Sequence, residues 1–446
     1  MKTILPALFF ISTLCGTAAA ADLPAFGPAD RILVVAPHPD DEALGAAGLI
    51  QRAVESGADV RVVYLTHGDD NEMSSLFFFK KPILTKANLL RIGDLRENES
   101  ETAMQHLDIP DKKLIFLGYP DGGALSIWRK RWGSARPYKN LLTETDKVPY
   151  EGDPSYGSPY KGESVQKDMR RVFEEYRPTH IFVTVPFDKH ADHRAAYLFT
   201  QLALLDLDAA IPRPALFGYV IHARRWPRPR AYKPGKPLAA PDAGTPEGDA
   251  GWVRFPLTET EITVKKEAIT RYTSQMTYSK KFLLSFVRTN ELFLPLTQEN
   301  PKQGAPDEEV SPPAQTKGRS RDKRPPSRVD YYLKGPDLWI DVHLDTALDE
   351  IGGLGVELYP YRHDRDFSGM PKLALRFFGK RFFASDALGR AKPTEIFFRT
   401  LPNRYQIRVP LALLGDPEHV FVSVSAAKRE TTPDFNSWKL LEIIRT

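Results

Sequence analysis

The chain changes texture along its length. Residues 31–36, RILVVA, form a continuous apolar run and read as a buried strand. Residues 41–57, DEALGAAGLIQRAVESG, place Leu44, Leu49 and Ile50 on one helical face and stop at Gly57. The pair then recurs. Strand patterns at 59–66, 113–119, 180–185 and 215–222 alternate with helical patterns at 96–107, 165–176 and 193–206, and another helix is predicted over 258–275. Such alternation predicts an α/β fold with a mostly parallel sheet covered on both faces, which binds ligands at the carboxyl ends of its strands. From residue 329 the period shortens to two. Trp339-Ile340-Asp341-Val342-His343-Leu344 is one of several short alternating runs between turn residues, and together they predict an antiparallel β-sandwich over 329–446.

Two stretches break these patterns. Residues 223–251 are rich in Pro, Gly and Ala and read as a long loop. Residues 299–328 hold almost no large apolar side chain and read as a disordered linker. The α/β domain then occupies 22–298. Ahead of it stand Lys2, an apolar run over 4–14 and Ala18-Ala19-Ala20, the pattern of a cleavable signal peptide over 1–21. The run is shorter than the roughly 20 residues of a spanning helix. Export to a periplasm or beyond is expected. Cys15, the only cysteine, lies inside that segment, and Leu14 before it argues against a lipoprotein. The mature chain therefore has no thiol, so any metal must be held by His, Asp and Glu. A net charge of +4 over 446 residues makes no case for a nucleic-acid partner.

Two short segments concentrate the chemistry. PHPDDE holds His38, Asp40, Asp41 and Glu42, and PFDKHADHRAAY holds His190, Asp192 and His193. Each follows a predicted strand and precedes a predicted helix, so in a parallel sheet both fall at one edge. Carboxylates crowded there raise one another's pKa unless a cation compensates. Catalytic zinc takes three N or O ligands and keeps a position for water. A spare carboxylate then serves as base, and a spare histidine steadies an oxyanion or protonates a leaving group. Taken singly, the acids could be first-turn residues and the histidines ordinary loop residues; their pairing at equivalent strand ends favours one joint site. GAAG over 45–48 lacks the turn of a dinucleotide fingerprint.

These residues resemble those of the PIG-L (LmbE-like) deacetylases. VVAPHPDDEALGAAGLI, HADH, FLGYPDGG over 116–123, the helix carrying Arg96, Glu99, Ala103 and Leu107, and Tyr272 to Gln275 all fit that family across roughly 30–298. The resemblance implies a Rossmann-like fold and metal-dependent removal of N-acetyl groups from amino sugars. It implies His38, Asp41 and His193 as ligands of one divalent metal, with zinc fitting best and iron, manganese or cobalt as alternatives. It implies Asp40 as general base, a protonated His190 at the oxyanion or amine, and Asp192 orienting and charge-tuning His190. Arg96 and Asp121 match substrate-binding positions, although Arg96 equally fits a structural partner of an acid. Pro37 departs from a common alanine, and residues 74–95 are longer and more apolar than the usual loop.

The leading expectation is an exported N-deacetylase acting on an N-acetylated glycan or glycoconjugate. The alternatives are a metal-dependent amidase or esterase for another acylated molecule, and a glycan-binding protein with a vestigial site. Tyr331, Tyr332, Trp339, Tyr359, Tyr361 and Trp438 are either carbohydrate-stacking rings or core of the β-rich domain. Phe77-Phe78-Phe79-Lys80-Lys81 is either a lip for peripheral membrane contact or a packed lid. The oligomeric state has no signature in the sequence.

Overall fold

A computed structural model describes residues 23–70, 85–241, 251–306, 328–344, 351–378, 381–386, 394–428 and 437–444. The signal-like segment, Cys15 and the Phe77–Lys81 run lie outside the described residues. Among the described residues no helix is long and apolar enough to cross a membrane.

Strands β1 (Arg31–Ala36), β2 (Asp59–Thr66), β3 (Leu114–Tyr119), β4 (His180–Thr184) and β5 (Ala215–Tyr219) run parallel. Strands β6 (Val253–Pro256) and β7 (Asn290–Pro295) add antiparallel pairs, and the order across the sheet is β3-β2-β1-β4-β5-β7-β6. Helices α1 (Asp41–Glu55), α2 (Lys86–Gln105), α3 (Ala124–Lys130), α4 (Gly162–Tyr176), α5 (Ala191–Asp206), α6 (Glu259–Thr270) and α7 (Thr273–Leu283) cover it. Alternate residues of β1 explain the two layers. Ile32, Val34 and Ala36 pack into the core on the α1 side, while Leu33 and Val35 pack into the core that includes α4 and α5. The chain builds outward from β1 to β3 and then returns to place β4 on the other side of β1. That reversal opens a crevice above the ends of β1 and β4.

The expected mostly parallel Rossmann-like sheet is present. Its details differ in three places. Helix α2 starts at Lys86, ten residues before the predicted start, because Thr85 caps it through Asn88 N (3.2 Å) and Leu89, Ile92 and Gly93 are buried. The single helix predicted over 258–275 is two, since Glu99 takes up the first turn of α7: its carboxylate accepts from Ser274 N (2.7 Å), Ser274 Oγ (2.6 Å) and Thr273 Oγ1 (2.6 Å). The linker reading fails for residues 299–306, where Lys302–Gln303 form β8 beside Tyr332 and Leu333.

A buried ion pair clamps α1 to β7. Glu291 accepts from Gly48 N (2.8 Å) and Leu49 N (2.9 Å), and Lys265 donates to Leu44 O (2.8 Å) and Glu291 Oε1 (2.6 Å). Leu44 O and Gly48 N–H are the groups a regular helix pairs with each other. Glu291→Gln leaves the Lys265 charge buried without its counter-charge and should cost about 3–5 kcal/mol. Denaturant unfolding tests this, and a loss below about 1 kcal/mol would contradict the clamp.

The C-terminal region is a sandwich of two five-stranded sheets. One has β8, β9 (Arg328–Lys334), β10 (Asp337–His343), β14 (Phe397–Leu401) and β15 (Arg404–Pro410); the other has β11 (Ile351–Tyr361), β12 (Leu373–Phe378), β13 (Arg381–Asp386), β16 (His419–Lys428) and β17 (Ser437–Glu442). Their pairings are antiparallel apart from β8 with β9. Leu338, Ile340, Val356, Leu358, Leu375 and Ile407 belong to the core between them. Tyr331, Tyr359, Tyr361 and Trp438 are buried, which removes them as carbohydrate-stacking rings; Tyr332 and Trp339 are half-buried. Tyr359 and Trp438 instead pack on Trp128 of α3, with ring centroids 5.9 and 6.2 Å away. Trp438 N also donates to Pro186 O (3.2 Å), so β17 braces the segment between β4 and α5.

Candidate active site

Two loops leave adjacent parallel strands and meet at the crevice. The β1–α1 loop carries His38, Asp40 and Asp41. The β4–α5 loop carries Asp188 and His190 and leads into Asp192 and His193. Small residues let α1 approach the sheet: a Cβ on Gly45 would fall 2.3 Å from the Tyr219 ring.

Three electron-rich atoms converge. Asp41 Oδ2 lies 3.2 Å from His38 Nδ1 and 3.2 Å from His193 Nε2, and those two nitrogens are 3.3 Å apart. A tetrahedral ion about 2.0–2.1 Å from each donor sets edges of roughly 3.3 Å. The outer nitrogens explain which lone pairs face inward. His38 Nε2 faces Asp121 Oδ1 (3.1 Å) and Asp192 Oδ2 (3.3 Å), and His193 Nδ1 faces Asp188 Oδ2 (3.2 Å). A carboxylate at the outer nitrogen places the ring proton there and turns the other nitrogen into a donor for a cation. Charge points the same way. Burial works to lower both rings, yet Asp188 and Asp41 raise His193 to about 9, and Asp121 with its neighbours holds His38 well above its usual value. Burial works to raise Asp41, but His193 and His38 hold it well below the usual carboxylate range. The cluster calls for positive charge at its centre, and the donor set fits one divalent ion.

Asp40 stands beside this triangle in an unusual backbone state, φ 115°, which is costly for a residue with a side chain. Neighbours impose it. Glu42 Oε2 accepts from Asp40 N (3.2 Å), and the Tyr272 hydroxyl donates to the other oxygen of Glu42. Arg96 donates to Pro39 O (2.6 Å) and Gly68 O (2.9 Å) and lies 3.6 Å from the Asp40 carboxylate. Gly68 must be glycine here: φ is +67°, and a Cβ would fall 1.9 Å from Arg96 Nη1. The Arg96 side chain thus holds the loop that carries Asp40. Burial, with Asp41 and Glu42 close by, holds Asp40 well above the usual carboxylate range, and Arg96 opposes this. A general base at this position would work deprotonated, and activity should then fall as pH drops through that raised value. Arg96→Gln removes the opposing charge and should move the acid limb of the pH–rate profile to higher pH, by about one unit. An unmoved limb would show that Arg96 does not tune Asp40.

The other expected residues are placed as follows. Asp121 sits against His38 and accepts from Asp70 N (3.2 Å), inside the cluster. The Asp192 carboxylate is hydrogen-bonded elsewhere than to His190: it accepts from Gly122 N (2.6 Å) and Ala124 N (3.0 Å) and faces His38. Toward His190, Asp192 turns its backbone N–H, which donates to Nδ1 (3.3 Å), and its charge, which raises that ring. The His190 ring is 4.7 Å from that of His38. Burial, with His38 and His193 nearby, lowers it to about 4 against the opposing pull of Asp192 and Asp121, a direction that runs against the protonated ring expected. Two neighbours were not read from the sequence. Asp188 accepts from His190 N (2.9 Å), Ile221 N (3.0 Å) and His222 N (2.9 Å) besides facing His193. It lies two residues before His190 in the same segment, and its place at the strand end was the available signal. The His222 ring lies 4.9 Å from that of His193 and had no local signal.

The fold and the site define a doubly wound α/β protein with a His/Asp centre, suited to a divalent cation, at its switch point. Residues 33–204 match the family model PIG-L, described as GlcNAc-PI de-N-acetylase, and this stretch of the chain is a PIG-L domain. Two proteins named 1D-myo-inositol 2-acetamido-2-deoxy-alpha-D-glucopyranoside deacetylase are similar to it. The one from Mycobacteroides abscessus is 27% identical over 180 residues, 39% of this chain and 55% of that protein. The one from Kineococcus radiotolerans is 27% identical over 228 residues, 49% of this chain and 59% of that protein. The chain thus spans a little over half the length of these curated relatives. Among solved structures, the N,N'-diacetylchitobiose deacetylase from Pyrococcus horikoshii aligns at 18% identity over 59% of this chain and 82% of its own, with a TM-score of 0.36.

Proposed function

We propose that this protein is an exported, metal-dependent N-deacetylase that removes acetyl from an N-acetylated amino sugar in a glycan or glycoconjugate. The observation that carries the reading is the His38–Asp41–His193 triangle, with carboxylates on both outer ring nitrogens and Asp40 beside it. The similar deacetylases supply the substrate class, and the signal-like N-terminus supplies the export. The ion, most simply zinc, supplies Lewis-acid polarisation of the amide and lowers the pKa of water.

The chain's own residues do the rest. Asp40 takes a proton from the attacking water as its oxygen bonds to the amide carbon. The Asp192 N–H on His190 Nδ1 leaves the ring proton on Nε2, where a neutral imidazole donates a hydrogen bond to the developing oxyanion. An acid held above the ordinary carboxylate range keeps the captured proton long enough to pass it to the departing amine nitrogen. The C–N bond then breaks, and acetate and the free amine leave. The test is acetate and amine release across a panel of N-acetylated glycans, with metal content measured on the same sample. No release from any member would overturn the reading.

A further inference from the structure

The segment 223–241 contains no acid and presents Arg228, Arg230, Lys233 and Lys236 exposed. Its backbone is pinned from beneath. The fully buried Arg288 donates to Pro229 O (2.6 Å) and Lys233 O (3.1 Å), Trp226 Nε1 donates to Ala239 O (2.7 Å), and Asn290 Oδ1 accepts from Leu238 N (2.8 Å). The loop therefore turns its carbonyls inward onto a cation and its cationic side chains outward. Cations presented together on one surface raise its potential and draw an anion to it.

The basic rim is continuous with the reactive centre. The Arg230 guanidinium lies over the Phe282 ring, 4.9 Å from its centroid. Phe282 stacks on His222 at 5.5 Å and 13° between ring planes, and His222 lies 4.9 Å from the ring of His193. Lys280 and Lys281 on α7 are exposed beside Phe282. A wall two rings deep thus runs from a proposed metal ligand out to the cationic loop. Asp242, Glu247 and Asp249 follow in the sequence and lie outside the described residues.

We infer that the 223–241 loop is a subsite for an anionic group, carboxylate or phosphate, carried by the substrate beyond its N-acetyl sugar. This rests on the deacetylase reading and narrows its substrate class to acidic glycans or glycoconjugates.

The test reads binding apart from turnover. The Asp40→Asn protein, loaded with metal, is titrated calorimetrically with neutral chitotetraose, with a tetrasaccharide alternating N-acetylglucosamine and glucuronate, and with chitotetraose bearing one phosphate. At about 50 mM salt at least one acidic ligand should bind about ten-fold tighter than the neutral one, and most of that preference should vanish at about 300 mM. The tighter acidic ligand identifies the anion. The triple change Arg230→Gln, Lys233→Gln, Lys236→Gln should cut the preference at least about five-fold, and Lys233→Arg with Lys236→Arg should keep it. Equal affinities, no salt dependence, undetectable binding of all three, or an unchanged preference in the triple variant would each overturn the subsite. Acetate release by the unaltered protein is scored separately. An acid preference without release sinks the deacetylase reading alone, and release without an acid preference sinks the subsite alone.

Discussion

Asp40→Asn should keep its metal and its melting temperature and lose turnover by about 10²–10⁴-fold, the range for removing a general base. The exchange is nearly isosteric, and Asn tolerates positive φ as well as Asp does, so the backbone at φ 115° survives. Arg96 keeps its bonds to Pro39 O and Gly68 O, and Glu42 keeps the Asp40 N–H. What is lost is the only group in the cluster assigned to accept the water's proton. Asp41, Asp121, Asp188 and Asp192 are all occupied by imidazole or backbone N–H partners. Steady-state kinetics with metal content on the same sample decide it. Activity within about ten-fold of the parent would remove Asp40 from the role of base.

His193→Ala should abolish metal binding and, with it, activity. The change deletes one corner of the triangle from a ring with no solvent exposure, where water cannot easily replace the nitrogen. Asp188 keeps its backbone donors from His190, Ile221 and His222, so that side of the site stays satisfied and the fold persists. Asp188→Asn tests the layer behind: the amide retains hydrogen bonding to the ring but not the charge, and metal affinity should weaken about 10–100-fold. Metal content after dialysis reads both. A parental stoichiometry in His193→Ala would place the ion elsewhere.

Much of this architecture is visible along the chain because burial has a period. The apolar runs at 31–36, 59–66 and 180–185 have the length and composition of strands buried on both faces, and they form the centre of the sheet. The turn at 37–40 and the segment at 186–193 are visible as chemistry because each packs histidine and acid where a strand ends. Partners are harder to read. Glu99 meets Ser274 across 175 positions, and no local feature of 258–275 announces that the helix must break there. The rings of the β-rich domain have the composition of a binding face, but composition does not say which side of a sheet meets another domain. Tyr359 and Trp438 meet Trp128. The polar residues of 299–306 look like a linker because a strand at a sheet edge is held by backbone pairing, which leaves little trace in side-chain type.

The sequence by itself determined the sheet, the sandwich and the two His/Asp segments, since period and residue type are local properties. Only the tertiary structure decided what each side chain faces. It turned Arg96 to the loop that carries Asp40 and the Asp192 carboxylate to His38, brought Asp188 behind His193, and lowered the pKa of His190. The reason is physical. A carboxylate's partner and a histidine's charge are set by groups within a few ångströms, and those groups come from strands and helices far apart in the chain.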